Sequence, residues 1–290
     1  MRLAFLGTPD AAVESLRALV DAGHDVAVVV TRPDRRRGRG SQLSASPVKN
    51  AATELGLRVV HHHRDLDAAG IERAVVVAYG AMIPAPLLAL TPMLNVHFSL
   101  LPRWRGAAPV QRAILAGDET TGVSVMSLEP TLDTGPVHLV RTVSIGEKTA
   151  SQLTNELAQR GARALVDVLD SPELLAHPQV QHGHATYAEK LRPQDFHLTP
   201  DLSTELQVRT VRLERAFTFI NDRRLRVHEA HAVSAQGPAG SIVLSEGSVV
   251  LLGRDGALAL DEVQPEGSRK MAARDWWAGA RLGDSSPQWS

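Results

Sequence analysis

The sequence contains no cysteine among its 290 residues. A disulfide scaffold, a thiolate zinc site, an iron–sulfur cluster and a cysteine nucleophile are therefore excluded. Net charge is nearly absent too, because 31 lysines and arginines face 32 aspartates and glutamates, for a formal charge of −1. This balance excludes a histone-like polycation, although a local basic patch can still bind nucleic acid.

Long apolar runs are also missing. No stretch approaches the roughly 18 apolar residues of a membrane-spanning helix, and the first apolar segment, Leu3–Leu6, is too short for a secretory signal. Hydrophobic residues nevertheless make up 43% of the chain, which indicates a buried core rather than disorder. We therefore expect a cytoplasmic, monomeric protein without a membrane partner.

Short apolar runs, several of them rich in valine, alternate with helical patterns in the first 117 residues. The runs lie at 3–6, 25–31, 57–60, 74–79 and 94–99, and helical patterns begin near residues 10, 47 and 109. Continuous apolar runs that alternate with helices are typical of a parallel sheet covered on both faces. We predict an α/β, Rossmann-like domain with a central, mostly parallel sheet.

The rhythm changes after Gly117. Two extended segments, 122–128 and 137–143, precede a long amphipathic helix over 150–169, and residues 172–200 have the composition of a linker. Short alternating segments follow at 224–231, 241–244, 248–252 and 257–263, a pattern that predicts a small C-terminal β-barrel of the oligonucleotide-binding type (OB-like). The predicted domains are 1–180 and 201–285, joined by a linker at 181–200.

The segment Asn95-Val96-His97 is the strongest candidate for chemistry. Alternate side chains of a strand share a face, so Asn95 and His97 are expected to point the same way. An amide donor can stabilise a developing oxyanion, and an imidazole can handle the proton of an attacking nucleophile. Asp133, at a turn between two extended segments, can return to orient the imidazole. The alternative is simply the polar end of a buried strand.

Five arginines occupy residues 32–40, and a second basic stretch runs from Arg209 to Arg226. A charge run is often a solvated loop, but two such stretches in a neutral protein favour a polyanionic partner. In that case the first stretch is an arm that neutralises phosphates and brings salt-dependent affinity. The candidate contacts are Arg35, Arg36, Arg37 and Arg39.

Three other motifs are predicted to be structural. Gly7-Thr8-Pro9 lacks the second and third glycines of a dinucleotide-binding loop, which argues against a nicotinamide site. Consecutive residues of a strand point to opposite faces, so His61-His62-His63 cannot easily converge on one ion, and no metal site is expected. Trp276-Trp277 is expected to close the core of the barrel rather than to stack on a base.

Taken together, these motifs resemble the methionyl-tRNA formyltransferase family. The likeness covers nearly the whole chain and is densest before residue 145. It is carried by Phe5-Leu6-Gly7-Thr8-Pro9-Asp10, Thr31-Arg32-Pro33-Asp34, Gly38-Arg39-Gly40, Ser46-Pro47-Val48-Lys49, Val77-Ala78-Tyr79-Gly80, Asn95-Val96-His97, the run from Ser99 to Pro109, Leu132-Asp133-Thr134-Gly135 and Tyr187-Ala188-Glu189-Lys190-Leu191. Asn-x-His with a later Asp is shared by all folate-dependent formyltransferases, whereas Arg103-Trp104-Arg105-Gly106 is more specific.

The resemblance implies a formyltransferase domain followed by an OB-like tRNA-binding domain. It implies transfer of the formyl group of 10-formyltetrahydrofolate to the α-amine of initiator methionyl-tRNA, without a metal. The family's catalytic positions fall on Asn95, His97 and Asp133. Its folate-contacting segment falls on Ser99, Leu100, Leu101 and Pro102. The arginine arm occupies the place of the family's loop for the tRNA acceptor stem.

The chain departs from the family's pattern at three places. Residue 98, often glycine in relatives, is Phe98, whose side chain we expect to face away from Asn95 and His97. The stretch between residues 60 and 74 is shorter than usual, and 215–218 lacks a proline-rich insertion. Two alternatives stay open at this point: an amino-sugar N-formyltransferase with the same site, and a non-catalytic RNA-binding paralogue that keeps the barrel.

Overall fold

The computed structural model describes residues 1–36, 43–66, 70–280 and 287–290. The chain divides into two compact units. The first consists of Met1–Val110, Glu119–Ser144 and Leu153–Glu189, and the second of Gln111–Asp118, Ile145–Gln152 and Lys190–Ser290. The predicted domain boundaries at residues 180 and 200 stay a prediction, since this division follows the packing of the chain rather than the order of its segments.

The main strands and helices up to residue 188 alternate as the sequence predicts, and several short elements lie between them. In chain order they are β1 (Arg2–Gly7), α1 (Val13–Asp21), β2 (Asp25–Val30), β3 (Arg35–Arg36), β4 (Leu43–Ser44), α2 (Pro47–Glu54), β5 (Val59–Val60), β6 (Arg73–Val77), α3 (Ala85–Leu90), β7 (Met93–His97), β8 (Arg105–Gly106), α4 (Pro109–Ala116), β9 (Thr120–Ser127), β10 (Val137–Ser144), α5 (Ala150–Asp170), α6 (Pro172–Ala176) and β11 (Tyr187–Ala188).

The first unit is built on a sheet with the strand order β10-β9-β7-β6-β1-β2-β5. Its strands run parallel from β7 to β5, whereas β9 and β10 are antiparallel to their neighbours. Residues Leu3 to Leu6 of β1 are all fully buried, as expected for a strand covered on both faces. The predicted Rossmann-like, mostly parallel sheet is confirmed.

Helix α5 approaches the sheet closely at β7. A Cβ atom on Gly161 would lie 2.7 Å from Cγ1 of Val96, which is closer than two carbon atoms can pack. Glycine at this position therefore lets the helix lie against the strand that carries Asn95 and His97.

The segment predicted as a linker contains more structure than its composition indicates. Ser171 caps α6 by accepting a hydrogen bond from the Leu174 amide at 3.2 Å. Further on, β11 pairs in parallel with β8, with Tyr187 beside Arg105 and Ala188 beside Gly106. The strand pairing is tertiary and leaves no sequence period, which is why polar composition alone does not predict it.

The second unit contains an antiparallel sheet with the strand order β12-β13-β16-β15-β14, and β17 pairs with β16. Its elements are α7 (Thr204–Val211), β12 (Phe217–Ile220), β13 (Arg223–Val233), β14 (Ile242–Ser245), β15 (Ser248–Leu252), β16 (Ala257–Pro265), β17 (Met271–Ala272) and α8 (Ala273–Gly279). Val249 and Leu251 belong to one buried cluster, and Val250 and Leu252 to another. The antiparallel strands form a curled half-barrel, as the OB-like prediction requires, and apolar clusters lie on both of its faces.

Two helices of this unit are absent from the sequence prediction. Helix α7 begins after Ser203, whose hydroxyl accepts a hydrogen bond from the Leu206 amide and so caps the helix. The arginines in this segment led instead to its prediction as a basic surface. Helix α8 carries Trp276 and Trp277, which pack against the larger cluster. Their predicted role in the core is confirmed. In the described part of the chain, no helix is both long and apolar enough to cross a bilayer.

Acid is expected to destabilise the first unit through His138. Nδ1 of its ring donates to the Leu174 carbonyl, and Nε2 accepts from the Ser127 hydroxyl, both at 2.8 Å. Burial, and less strongly the nearby Arg73, lower the pKa of His138 below its ordinary value, although the Leu174 bond opposes the shift. The unfolded chain therefore binds the proton more readily, and folding stability falls as pH drops through about 6.5.

Urea unfolding between pH 7.5 and 5.5 measures this effect. The His138→Gln variant is expected to show a shallower decline of its midpoint with falling pH than the unchanged chain. The exposed His62 provides the control, and His62→Gln is expected to retain the full decline. Equal slopes in all three proteins contradict the prediction.

Candidate active site

Strand β7 carries Asn95 and His97 at its carboxyl end, the edge at which open α/β sheets bind ligands. Both residues line one cavity of about 480 Å³. His97 is buried and only 6% exposed, whereas Asn95 is half-buried. The period of two along the strand thus brings the amide and the imidazole to a common space.

The protonation geometry of His97 follows from its partners. Its Nε2 lies 2.8 Å from the backbone oxygen of Trp104. A carbonyl oxygen only accepts hydrogen bonds, so Nε2 carries the hydrogen and Nδ1 is left to take up or release a proton. Nδ1 lies 3.7 Å from Oδ2 of Asp133, which is longer than a hydrogen bond but close enough for attraction to an imidazolium.

Asp133 reaches the site from the turn between β9 and β10. It is 8% exposed, and its Oδ2 accepts a hydrogen bond of 2.8 Å from the Gly106 amide. Its backbone has a φ of 50°, a left-handed conformation that aspartate tolerates better than most residues. Gly135 passes so close to the Ser127 carbonyl that a Cβ atom would collide with it. This turn therefore depends on glycine at residue 135.

Further walls of the cavity come from residues at and beyond the carboxyl ends of β6 and β9. The motifs 77–80 and 132–135 carry part of the family resemblance, but their place in the wall of a cavity was not predicted. The lining includes Val76, Ala78, Tyr79, Gly80, Ala81, Met82, Ile83, Leu88, Leu128, Glu129, Pro130, Thr131 and Leu132. A usable signal existed, because Gly80 and Pro130 mark the ends of strands at the ligand-binding edge of the sheet.

Phe98 contributes to the same cavity. Its ring atom Cε1 lies 3.6 Å from the position of a Cβ atom on Gly161. The ring therefore reaches α5, although the residue itself borders the space that Asn95 and His97 share.

The four predicted folate contacts, residues 99–102, are not among the described residues that line the cavity. Ser99 is fully buried, and its hydroxyl donates to the Arg103 carbonyl at 2.6 Å. Ser124 donates to the Ser99 carbonyl and accepts from the Leu101 amide. In this structure Ser99, Leu100, Leu101 and Pro102 lead into the loop that presents the Trp104 carbonyl and the Gly106 amide to the site.

The predicted tRNA-binding arginines are only partly described. Arg35 is exposed and pairs with Ser44 in the β3–β4 ladder, where Arg36 pairs with Leu43. Arg37 and Arg39 lie outside the described residues. Asp34, which precedes β3, accepts a hydrogen bond of 2.8 Å from Nζ of Lys49.

The arginines of the second basic stretch, Arg209 to Arg226, lie in two kinds of environment. The Arg212 guanidinium donates to the backbone carbonyls of Gly146 and Lys148, so it holds the second unit together. Arg223 and Arg224 are exposed on β13, and the Arg224 guanidinium lies over the Phe217 ring at 4.0 Å. These two are the better candidates for contact with a polyanion.

In the part of the chain that the structure describes, no three histidine, aspartate or glutamate side chains are grouped to hold a metal ion. Within the histidine run, Nδ1 of His61 lies 3.3 Å from the Thr31 carbonyl, which is a structural contact.

Known protein families match both units. Residues 1–169 match the family described as formyl transferase, and residues 205–281 match the formyl transferase C-terminal domain. The solved structure of WlaRD, a sugar 3N-formyl transferase studied with dTDP and 5-N-formyl-THF, has a TM-score of 0.68. It is 15% identical and covers 93% of this chain and 99% of its own. The fold is therefore that of a formyl transferase.

Closer relatives narrow this class. The methionyl-tRNA formyltransferase of Rhizorhabdus wittichii is 43% identical over 289 residues, which cover 94% of this chain and 93% of the relative. The enzyme of the same name from Parafrankia sp. is 42% identical over 306 residues, with 98% of each chain covered. This chain belongs to the methionyl-tRNA formyltransferase family, and the resemblance drawn from its motifs is confirmed.

Proposed function

We propose that this protein transfers the formyl group of 10-formyltetrahydrofolate to the α-amine of initiator methionyl-tRNA. The observation that carries the proposal is the meeting of Asn95, His97 and Asp133 at one cavity, in a chain 43% identical to a methionyl-tRNA formyltransferase over nearly its full length. The architecture of the site supports the reaction class, and the relatives support the acceptor.

Asn95 and His97 supply the donors that acyl transfer needs. When an amine attacks an acyl carbon, negative charge develops on the acyl oxygen, and fixed hydrogen-bond donors lower the barrier most. The Asn95 side-chain amide borders the cavity, and a protonated His97 offers a second donor at Nδ1. The Trp104 carbonyl holds the opposite nitrogen, so the ring keeps this orientation.

Asp133 supports the charged imidazole and accepts the proton that the amine releases. Its Oδ2 is already held by the Gly106 amide, so the carboxylate is oriented before any substrate arrives. A carboxylate held beside the ring stabilises the positive charge that the ring carries during proton transfer. The Asp133 carboxylate takes the proton of the attacking amine. Nδ1 of His97 gives its own proton to the folate nitrogen as the bond between that nitrogen and the formyl carbon breaks, so that tetrahydrofolate leaves, and the carboxylate then returns a proton to Nδ1.

The cavity suits the formyl donor. Its volume of about 480 Å³ lies within the usual range for small-molecule sites, about 300–1,000 Å³. Val76, Ile83, Leu88 and Leu128 provide apolar walls of the kind that a flat heteroaromatic ring packs against. When bound, 10-formyltetrahydrofolate supplies an activated formyl group. The segment 99–102 remains a predicted folate contact, whose role here is to fix the loop beside the cavity.

One experiment separates this function from its alternatives. The protein is incubated with 10-formyltetrahydrofolate and either initiator methionyl-tRNA or a nucleotide-linked amino sugar, and formylated product is measured by mass spectrometry. We expect formylmethionyl-tRNA and no formylated sugar. Formylation of the sugar alone indicates an amino-sugar N-formyltransferase, and tRNA binding without any product indicates a non-catalytic RNA-binding protein.

Binding of the tRNA is expected to weaken steeply between about 50 and 200 mM salt, because phosphates that bind arginine release their counterions. Replacing Arg35, Arg36 and Arg37 together by alanine is expected to flatten the plot of log affinity against log salt, by about 0.9 for each phosphate that the variant no longer neutralises. Fluorescence anisotropy with labelled tRNA at several salt concentrations measures the slope.

The control for this prediction removes three exposed arginines elsewhere in the first unit, Arg17, Arg58 and Arg64. It removes the same charge and is expected to change the slope less. An unchanged slope in the Arg35–Arg37 variant shows that the arm does not bind phosphate.

A further inference from the structure

Gln181 makes a close set of hydrogen bonds with the turn that carries Asp133. Its Nε2 donates to the Asp133 carbonyl at 2.9 Å and to the Gly135 carbonyl at 2.8 Å. One side-chain amide therefore uses both of its hydrogens to bridge the turn around Thr134. Gln181 is not among the described residues that line the cavity, so these bonds act on Asp133 rather than on a ligand.

The other end of the same amide is held by Arg105. Oε1 of Gln181 accepts from Nε of Arg105 at 3.1 Å and from Nη2 at 2.6 Å. Bonds from a guanidinium are stronger than those between neutral groups. A flipped amide would set its oxygen against two carbonyls and its hydrogens against a cation, so only one orientation satisfies all four bonds.

The ring of hydrogen bonds closes on the carboxylate itself. Arg105 precedes Gly106 in β8, and the Gly106 amide donates to Oδ2 of Asp133. Strand β8 thus contacts Asp133 in two ways. The Gly106 amide binds its carboxylate, and Arg105 binds Gln181, which in turn binds the backbone carbonyls of Asp133 and Gly135. Gln179, two residues earlier, exchanges backbone hydrogen bonds of 2.8 Å with Val137, which fixes the approach of the chain to this turn.

We propose that Gln181, oriented by Arg105, is a positioning residue that sets the distance between the Asp133 carboxylate and His97. The reason is geometric. The left-handed backbone of Asp133 is not favoured in isolation and persists where the surroundings over-determine it. The separation of 3.7 Å between Nδ1 and Oδ2 leaves the ion pair sensitive to a small shift of the turn. This inference rests on the proposed function and adds a residue to its machinery.

The test replaces Gln181 by glutamate, which keeps the size and the bonds from Arg105 but removes both donated bonds and sets a carboxylate against two carbonyls. We expect kcat to fall about 10- to 100-fold, as for a displaced catalytic group, with KM for the folate and for the tRNA within about twofold. The matched control is Gln159→Glu, the same substitution at an exposed position of α5, and we expect this variant to keep normal kcat.

A second measurement separates positioning from general destabilisation. In a chain that already carries Asp133→Asn, adding Gln181→Glu is expected to change kcat less than about twofold, because residues that act through one another are not additive. An equal loss in both backgrounds overturns the proposal, as does a normal kcat in Gln181→Glu or a loss confined to KM. If Gln181→Glu does not fold, Gln181→Met, which removes the polar group without adding charge, is judged by the same criteria.

The wild-type protein is assayed first with initiator methionyl-tRNA. If it produces no formylated product, the proposed function is refuted, whatever the variants do. Once that activity is present, the Gln181 results bear only on the positioning of Asp133.

Discussion

Replacing His97 by alanine is expected to lower kcat for formyl transfer at least about 10²- to 10³-fold, the usual cost of removing one preorganised donor. His97 is placed to donate at Nδ1 toward the cavity and to exchange a proton beside Asp133, and water cannot reproduce a ring held in one orientation by the Trp104 carbonyl. Single-turnover formylation of initiator methionyl-tRNA measures the loss.

The fold should survive this substitution. Loss of the ring removes the hydrogen bond to the Trp104 carbonyl, which costs about 1–3 kcal/mol if no water replaces it. Circular dichroism and the urea midpoint therefore accompany the assay. His62→Ala, at an exposed position, is the matched control and should be fully active. Near-normal turnover in a folded His97→Ala protein refutes the assignment of the site.

Asp133→Asn is expected to reduce kcat by at least a similar factor, about 10²-fold or more, for an electrostatic reason. An asparagine oxygen can still accept the hydrogen bond that the Gly106 amide now donates to Oδ2, so the turn keeps its shape. The negative charge is lost, however, and with it the support of the imidazolium and the acceptor for the amine proton.

The control for Asp133→Asn is Asp21→Asn, which removes the same charge at the exposed end of α1. This control should retain full activity. We expect Asp133→Asn to bind the folate with near-normal affinity, so that the defect appears in kcat. A variant that turns over normally would exclude a catalytic carboxylate at this position.

The fold could largely be predicted from the chain because its strong signals are local. Apolar runs predict the buried strands β1, β2 and β6, and the helical pattern that begins near residue 47 predicts α2. The elements missed were short or disguised. Helix α3 has only six residues, too few for a clear period, and the pairing of β8 with β11 joins segments about eighty residues apart.

The candidate site also has a part that local sequence predicts and a part that depends on tertiary contacts. Asn95 and His97 follow from the period of two along a single strand, so their shared cavity could be predicted. The return of Asp133 could be proposed but not located, since the amide of Gly106 and the amide of Gln181 that hold it lie in distant segments. The roles of all three residues remain predictions until the variants are assayed.

By itself the sequence determined the class of fold, the family and the pair of side chains that face the cavity, since these depend on periodicity and on contiguous motifs. Only the tertiary structure decided which nitrogen of His97 contacts the Trp104 carbonyl, how far the other nitrogen stands from Asp133, which walls enclose the cavity, and that Gln181 and Arg105 hold the turn. Those features depend on distances between atoms far apart in the chain, and such distances exist only once the hydrophobic core has set the strands and loops in place.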